Sequence, residues 1–235
     1  DLESRLYRSL AQSYDYMISG DDQKMAEATK LTDQFIAIAK EASEETAIPL
    51  RKEILSDLQA KAANFKTEQN NVLMNMSTMQ KEYKERVTPD AQLLIAKLKE
   101  LALAADQIEN ADLLYAISQV WNEFALSLSA MGRFAQSADP EEGRQTAERV
   151  ASMKAPLERM GRLLQTEGGR ATYREIEAAY AGMTKATESM MQAANRTMTS
   201  LENMHSIEQA VEKAASALNQ DADKGMRYVG TRVLG

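Results

Sequence analysis

Apolar positions recur every three or four residues along this chain, the spacing of one buried helical face. The pattern is longest at the end. From Gly169 to about Thr231 the apolar or bulky positions run Tyr173, Ile176, Tyr180, Met183, Met190, Ala194, Leu201, Met204, Val211, Ala215, Leu218 and Ala222. This predicts a single helix of about 60 residues, ~90 Å long at 1.5 Å per residue. Only Gly182 interrupts it before Gly225. A rod of that length outruns one small domain, so different helices must cover its two halves. Thr187 and Thr197 fall on or beside the stripe, and polar groups on a packed seam need partners.

The earlier helices are shorter. The first runs from about Leu2 to Ile18 and stops at Ser19-Gly20. Asp21 and Asp22 cap a second that reaches about Thr46, where Ala47-Ile48-Pro49 breaks it. A third begins near Leu50. Glu109-Asn110-Ala111-Asp112 is a turn and cap, followed by a helix with Leu114, Ile117, Trp121, Phe124, Leu128, Met131 and Phe134, in which Trp121 reads as core. Asp139-Pro140-Glu141-Glu142-Gly143 is a loop. The next helix extends to about Thr166, with Pro156 predicted to kink it.

Thr88-Pro89-Asp90 decides the topology. It reads either as a cap opening a new helix or as a proline kink in a continuing one. Suppose both chain ends lead to a common surface. A reversal at Pro89 would leave them about 90 Å apart, whereas a continuous Leu50–Ile108 helix leaves about 25 Å. The second solution predicts an all-α fold of six helices, two long and four short, forming two stacked four-helix bundles. Residues 1–80 and 200–235 would form one bundle, 81–199 the other. Met74, Met76 and Met79 would meet Met190, Met191 and Met198 at the junction.

Composition narrows the chemistry. Four prolines, ten glycines and 6% aromatics among 235 residues argue against a β-rich fold. A net charge of −7 with no basic stripe argues against nucleic-acid binding. The absence of cysteine excludes disulfides and thiolate chemistry. No run of 18 apolar residues is present. The chain starts and ends inside helical patterns, so it reads as an excised segment whose transmembrane helices lie outside it.

With six helices, two of them shared between bundles, the chain resembles the helical bimodular sensor domain of bacterial chemoreceptors. Arg5-Leu6-Tyr7-Arg8 looks like that family's paired arginines in the membrane-proximal bundle, and Ser129 with Arg133 like the hydroxyl and arginine of its distal pocket. The resemblance implies an extracytoplasmic, periplasmic domain that homodimerises and binds small organic acids. C4-dicarboxylates and other tricarboxylic-acid-cycle intermediates would bind proximally and acetate-like acids distally. The last helix lacks the family's clean arginine and threonine in its proximal half.

The residues themselves leave alternatives open. Arginine suits carboxylates because its planar fork pairs with two oxygens. Arg5 and Arg8 share a helical face, but that face also carries Ser4, Gln12 and Asp15 and reads equally as solvated. Arg133 is a candidate with Ser129, Thr187 and Tyr180 around one carboxylate, or simply a cation at a helix C-terminus. His205 belongs to a single Glu-x-x-His; one copy is too few for a di-iron site, so it reads as a flank residue with ligand contact left open. No catalytic constellation or metal set stands out, and no cofactor is expected. The alternatives are the sensor domain of a histidine kinase, or a docking module that recognises a periplasmic binding protein.

Overall fold

The structure is a computed structural model that describes the backbone of residues 2–233 and the side chains of residues 4–221. Its elements, in order, are α1 (Leu2–Ser19), α2 (Asp22–Glu45), α3 (Pro49–Glu82), a π-helical turn (Tyr83–Val87), α4 (Thr88–Gln107), α5 (Ala111–Ser137), α6 (Pro140–Ser152), α7 (Lys154–Leu163) and α8 (Glu167–Val233). Among the described residues there is no strand. Taking α3–α4 and α6–α7 as one interrupted rod each gives six helices. The longest, α8, has 67 residues.

The chain does not reverse at Pro89. Glu82, Val87 and Thr88 all keep right-handed helical angles, so α3 passes through the π turn into α4 without a cap. The reason is local. Proline has no N–H, and its ring collides with the carbonyl four residues back. Widening the turn moves that carbonyl away. The Thr88 N–H reaches the Tyr83 carbonyl five residues back, and the Thr88 hydroxyl donates to the same oxygen at 3.1 Å. Pro156 acts differently. With no N–H to bond the Ser152 carbonyl, it interrupts the helix at one residue, Met153, between α6 and α7, and Met153 keeps right-handed helical angles, so the rod continues past the proline as the sequence expects.

The chain divides into two compact units. Residues 1–73 with 198–235 form the first. Gly20, at φ 65°, turns α1 into α2, and the Asp21 carboxylate accepts the Gln23 N–H at 3.0 Å to start α2. Leu6, Ala28, Phe35, Leu58, Phe65, Leu201 and Met204 are fully enclosed in its core. Arg51 pairs with Asp221 across α3 and α8 at 2.8 Å, and Lys66 with Asp33 across α3 and α2 at 2.6 Å. Such partly exposed pairs contribute no more than about 1 kcal/mol each, so apolar burial holds the unit.

The second unit is residues 74–197. Its core is rich in methionine: Met76, Met79, Met131, Met153, Met160, Met183 and Met190 are all fully buried. Met74, by contrast, is exposed. Trp121 is not core. It lies 39% exposed at the edge of the α5 stripe, its ring edge-on to Phe124 at 6.2 Å. Thr187 and Thr197 are buried and satisfy themselves by donating to the Met183 and Ala193 carbonyls of their own helix.

Candidate functional site

The corner between α5 and α6 is built by four residues in succession. Ala138, at φ 50°, ends α5 with its N–H on the Phe134 carbonyl at 3.1 Å. The Asp139 carboxylate accepts the Glu141 N–H at 2.9 Å, Pro140 occupies the first turn, and α6 starts. Gly143 then lies flat on the Phe134 ring, so close that a Cβ would sit 2.6 Å from Cζ. Further along, the Ser127 hydroxyl lies 2.9 Å from the Arg149 carbonyl and 2.8 Å from the Glu123 carbonyl. The two helices are clamped at both ends of a small interval.

That interval contains a cavity of about 200 Å³, lined chiefly by polar side chains: Ser129, Arg133, Glu142, Gln145, Thr146 and Arg149. Arg133 donates from Nη1 to the Ser129 hydroxyl at 3.0 Å and from Nε to Glu142 Oε1 at 3.3 Å. Glu142 also accepts the Ser137 hydroxyl. Thr146 is completely buried, and its hydroxyl has no partner. The Arg149 guanidinium makes no hydrogen bond or ion pair among the described residues. Two guanidinium groups against one carboxylate leave the wall with one positive charge in excess. A buried hydroxyl without a partner costs roughly 1–3 kcal/mol, so an acceptor brought within reach of it would be stabilised.

Ser129 and Arg133 therefore meet as the sequence proposes, but Tyr180 and Thr187 do not line this cavity. Thr187 spends its hydroxyl on its own helix. Thr146 and Arg149 were not anticipated. Their signal was present as the 142, 145/146, 149 spacing of one α6 face.

The other candidates lie in the first unit. Arg5 donates to the Gln34 side chain on α2. Arg8 is exposed and has no partner among the described residues. His205 is exposed, 2.9 Å from Gln209 through Nε2 and 3.6 Å from Glu208 through Nδ1. None of these three lines a described cavity with another of them. The polar centre of this unit is elsewhere. Ser9, Ser13, Thr32 and Gln69 are all buried. The Ser9 hydroxyl donates to the Ala28 carbonyl at 2.7 Å, lies 2.9 Å from Thr32 Oγ1, and accepts from Gln69 Nε2 at 2.7 Å. Gln69 Oε1 is left without a partner.

Two carboxyl groups of α4 differ in electrostatics. Burial raises Asp90, whose carboxylate crowds Gly182 of α8: a Cβ there would lie 2.0 Å from Oδ2. Hydrogen bonds from Lys97 and Thr172 lower Glu100. Among the described residues no set of three acidic or histidine side chains is placed to hold a metal ion, and no helix is long and apolar enough to cross a membrane. No protein-family model matches this chain, and no curated protein matches it.

Proposed function

We propose that this chain is the extracytoplasmic ligand-binding domain of a chemoreceptor, and that it binds small organic acids between α5 and α6. The observation that carries the proposal is a 200 Å³ cavity whose lining brings together Arg133, Arg149 and the buried Thr146, whose hydroxyl has no partner. One carboxylate suits that environment. Its oxygens accept from Thr146 and Arg149 and share Arg133 with Glu142. The volume favours acetate-like acids and short diacids over larger ligands. In this reading the two units are four-helix bundles stacked end to end, residues 1–73 and 198–235 nearest the membrane. Homodimers form through the proximal unit, where Arg8 is available to a second subunit. The domain is periplasmic, and it is a sensor and not an enzyme. Occupancy changes the packing of α5 and α6, and α8 carries the change onward, because a small shift between packed helices suffices for signalling. The output is a methyl-accepting module or a histidine kinase.

Calorimetry with acetate, propionate, succinate and malate tests this on wild type, Arg133→Ala and Arg149→Ala. Binding that either substitution weakens at least tenfold supports the site. Binding indifferent to both, or none at all, discards it.

A second reading is a docking module for a partner protein. A largely apolar surface groove between α4 and α5, lined by Leu98, Ala102, Leu114, Ile117 and the 39% exposed Trp121, favours it. That reading expects thermal shifts with organic acids to be flat.

A further inference from the structure

A second cavity, of about 520 Å³, lies in the second unit where the α4–α5 and α7–α8 turns come together. It shares no residue with the cavity beside Arg133. Its size is that of a small-molecule pocket, and so is its make-up: an apolar body with a few fixed polar groups. Leu101, Ala105, Leu113 and Leu164 form a buried floor, and Ile108 is a half-open wall at 66% exposure. The Gly168 position has open space around it, so the α8 entrance is unobstructed.

One charged side chain belongs to the lining itself. Glu100 is its only charged lining residue. The termini of four helices also reach the wall. The ends of α4 and α7 present carbonyls, and the starts of α5 and α8 present N–H groups, so their dipoles oppose one another. Many of those groups are already engaged. The Asn110 N–H bonds the Ala105 carbonyl at 2.9 Å, Asn110 Oδ1 accepts the Leu113 N–H at 3.0 Å, and the Gly169 N–H bonds the Thr166 hydroxyl at 3.1 Å. Glu100 is held in place by Thr172 on Oε1 at 3.0 Å and Lys97 on Oε2 at 3.1 Å. Lys97 is shared with Glu175 at 3.1 Å, so the three groups sum to one negative charge. Each carboxylate oxygen keeps a second lone pair for a guest.

We infer that this cavity binds a small amphipathic amine, its protonated nitrogen donating to Glu100 and its aliphatic body lying on Leu101, Leu113 and Leu164. This site is the opposite in charge preference of the cavity between α5 and α6, and it does not depend on that one. An organic acid is disfavoured here because Glu100 is the one charged side chain among the lining residues, while the neighbouring cations are already engaged, Lys97 by Glu100 and Glu175 and Arg170 Nε by the Leu164 carbonyl at 3.2 Å.

The test uses the whole chain with n-hexylammonium chloride as the probe, and hexanoate and 1-hexanol as comparators. Calorimetry measures affinity, and backbone amide shifts of Gly168 and Gly169 report the place. The expected result is binding of hexylammonium in preference to both comparators. Glu100→Gln keeps an acceptor for Thr172 and should weaken it about tenfold or more. Ala104→Trp, at an exposed lining position, should block the cavity while leaving far-ultraviolet dichroism unchanged. Arg133→Ala should leave amine binding as it was, which separates this site from the acid site. Hexanoate binding as well as hexylammonium, no binding of any probe, or full binding by Ala104→Trp would overturn the inference.

Discussion

Replacing Gly143 by alanine is the sharpest test of how the α5–α6 cavity is made. An ideal Cβ at this position lies 2.6 Å from Phe134 Cζ and 2.8 Å from Cε2. Ordinary carbon contact is about 3.5–4.0 Å, so the ring or the helix must retreat by roughly 1 Å. The ring has nowhere to go: Phe134 is fully buried, and Gly143 is buried above it. Overpacking of this kind costs about 1–3 kcal/mol, and a rigid ring in a closed core puts the cost near the upper end. Against it stands the better helix propensity of alanine, about 1 kcal/mol. The net expectation is a loss of about 2 kcal/mol. For a chain of this size that is a fall of roughly 4–8 °C in melting temperature. Gly168→Ala supplies the contrast. The same methyl there meets nothing within 4 Å, so it should be neutral or stabilising by up to about 1 kcal/mol. Both variants are read by thermal and urea unfolding followed by helical dichroism. A Gly143→Ala protein as stable as wild type, or a Gly168→Ala protein harmed as much, would refute the close-approach argument.

Three further outcomes are expected. Thr146→Val exchanges the unpartnered buried hydroxyl for a methyl of similar size; it should stabilise the ligand-free protein by about 1 kcal/mol in urea unfolding while weakening organic-acid binding in calorimetry. Ser9→Val strips Gln69 and Thr32 of their shared partner and should cost about 2–4 kcal/mol by the same unfolding measurement. Asp90 has a folded pKa raised by burial above its ordinary 3.8, so the folded state holds its proton more tightly than the unfolded chain does. Its favourable contribution is therefore complete below about pH 3.8 and is lost as pH rises through the folded value. Asp90→Asn should accordingly be more stable than wild type at pH 7, with the gain fading as unfolding is measured down towards pH 4; a constant difference would contradict this.

Much of the fold is legible in the three-and-four spacing, because helices that bury one face declare that face residue by residue. The span of α8 is of this kind; the continuity through Pro89 is not, because the spacing there allows either a cap or a kink and only the assumption that both chain ends reach a common surface chose between them. Trp121 misleads because it adjoins Val120 at the border of the α5 stripe, where one step around the helix separates core from solvent. The candidate site was half legible. Ser129 and Arg133 stand out on α5, but Thr146 and Arg149 share their α6 face with Glu142 and Gln145, and no apolar stripe marks that face as inward. The contact of Gly143 with Phe134 and the burial of Thr146 and Val150 show which face of α6 is turned inward. Tyr180 and Thr187 fall on the α8 stripe, but a place on a buried stripe does not say which cavity, if any, a side chain lines.

The π turn before Pro89 has a consequence for spacing. Along α3 the enclosed positions Leu58, Ala62, Phe65, Gln69, Val72, Met76 and Met79 step by four and three in alternation, and Ala91, Leu94, Leu98, Leu101 and Ala105 keep the same rhythm in α4. Between Met79 and Ala91 the steps through Tyr83 and Val87 are four, four and four, one residue more than the rhythm allows. The wide turn absorbs that residue; without it everything downstream would be rotated by about 100°. The proline and the surplus residue thus compensate each other, and a related chain that has lost one should have lost both. A single-residue deletion within Tyr83–Val87 should be rescued by Pro89→Ala, whereas neither the deletion alone nor a deletion elsewhere in α4 would keep the inner row in phase without penalty.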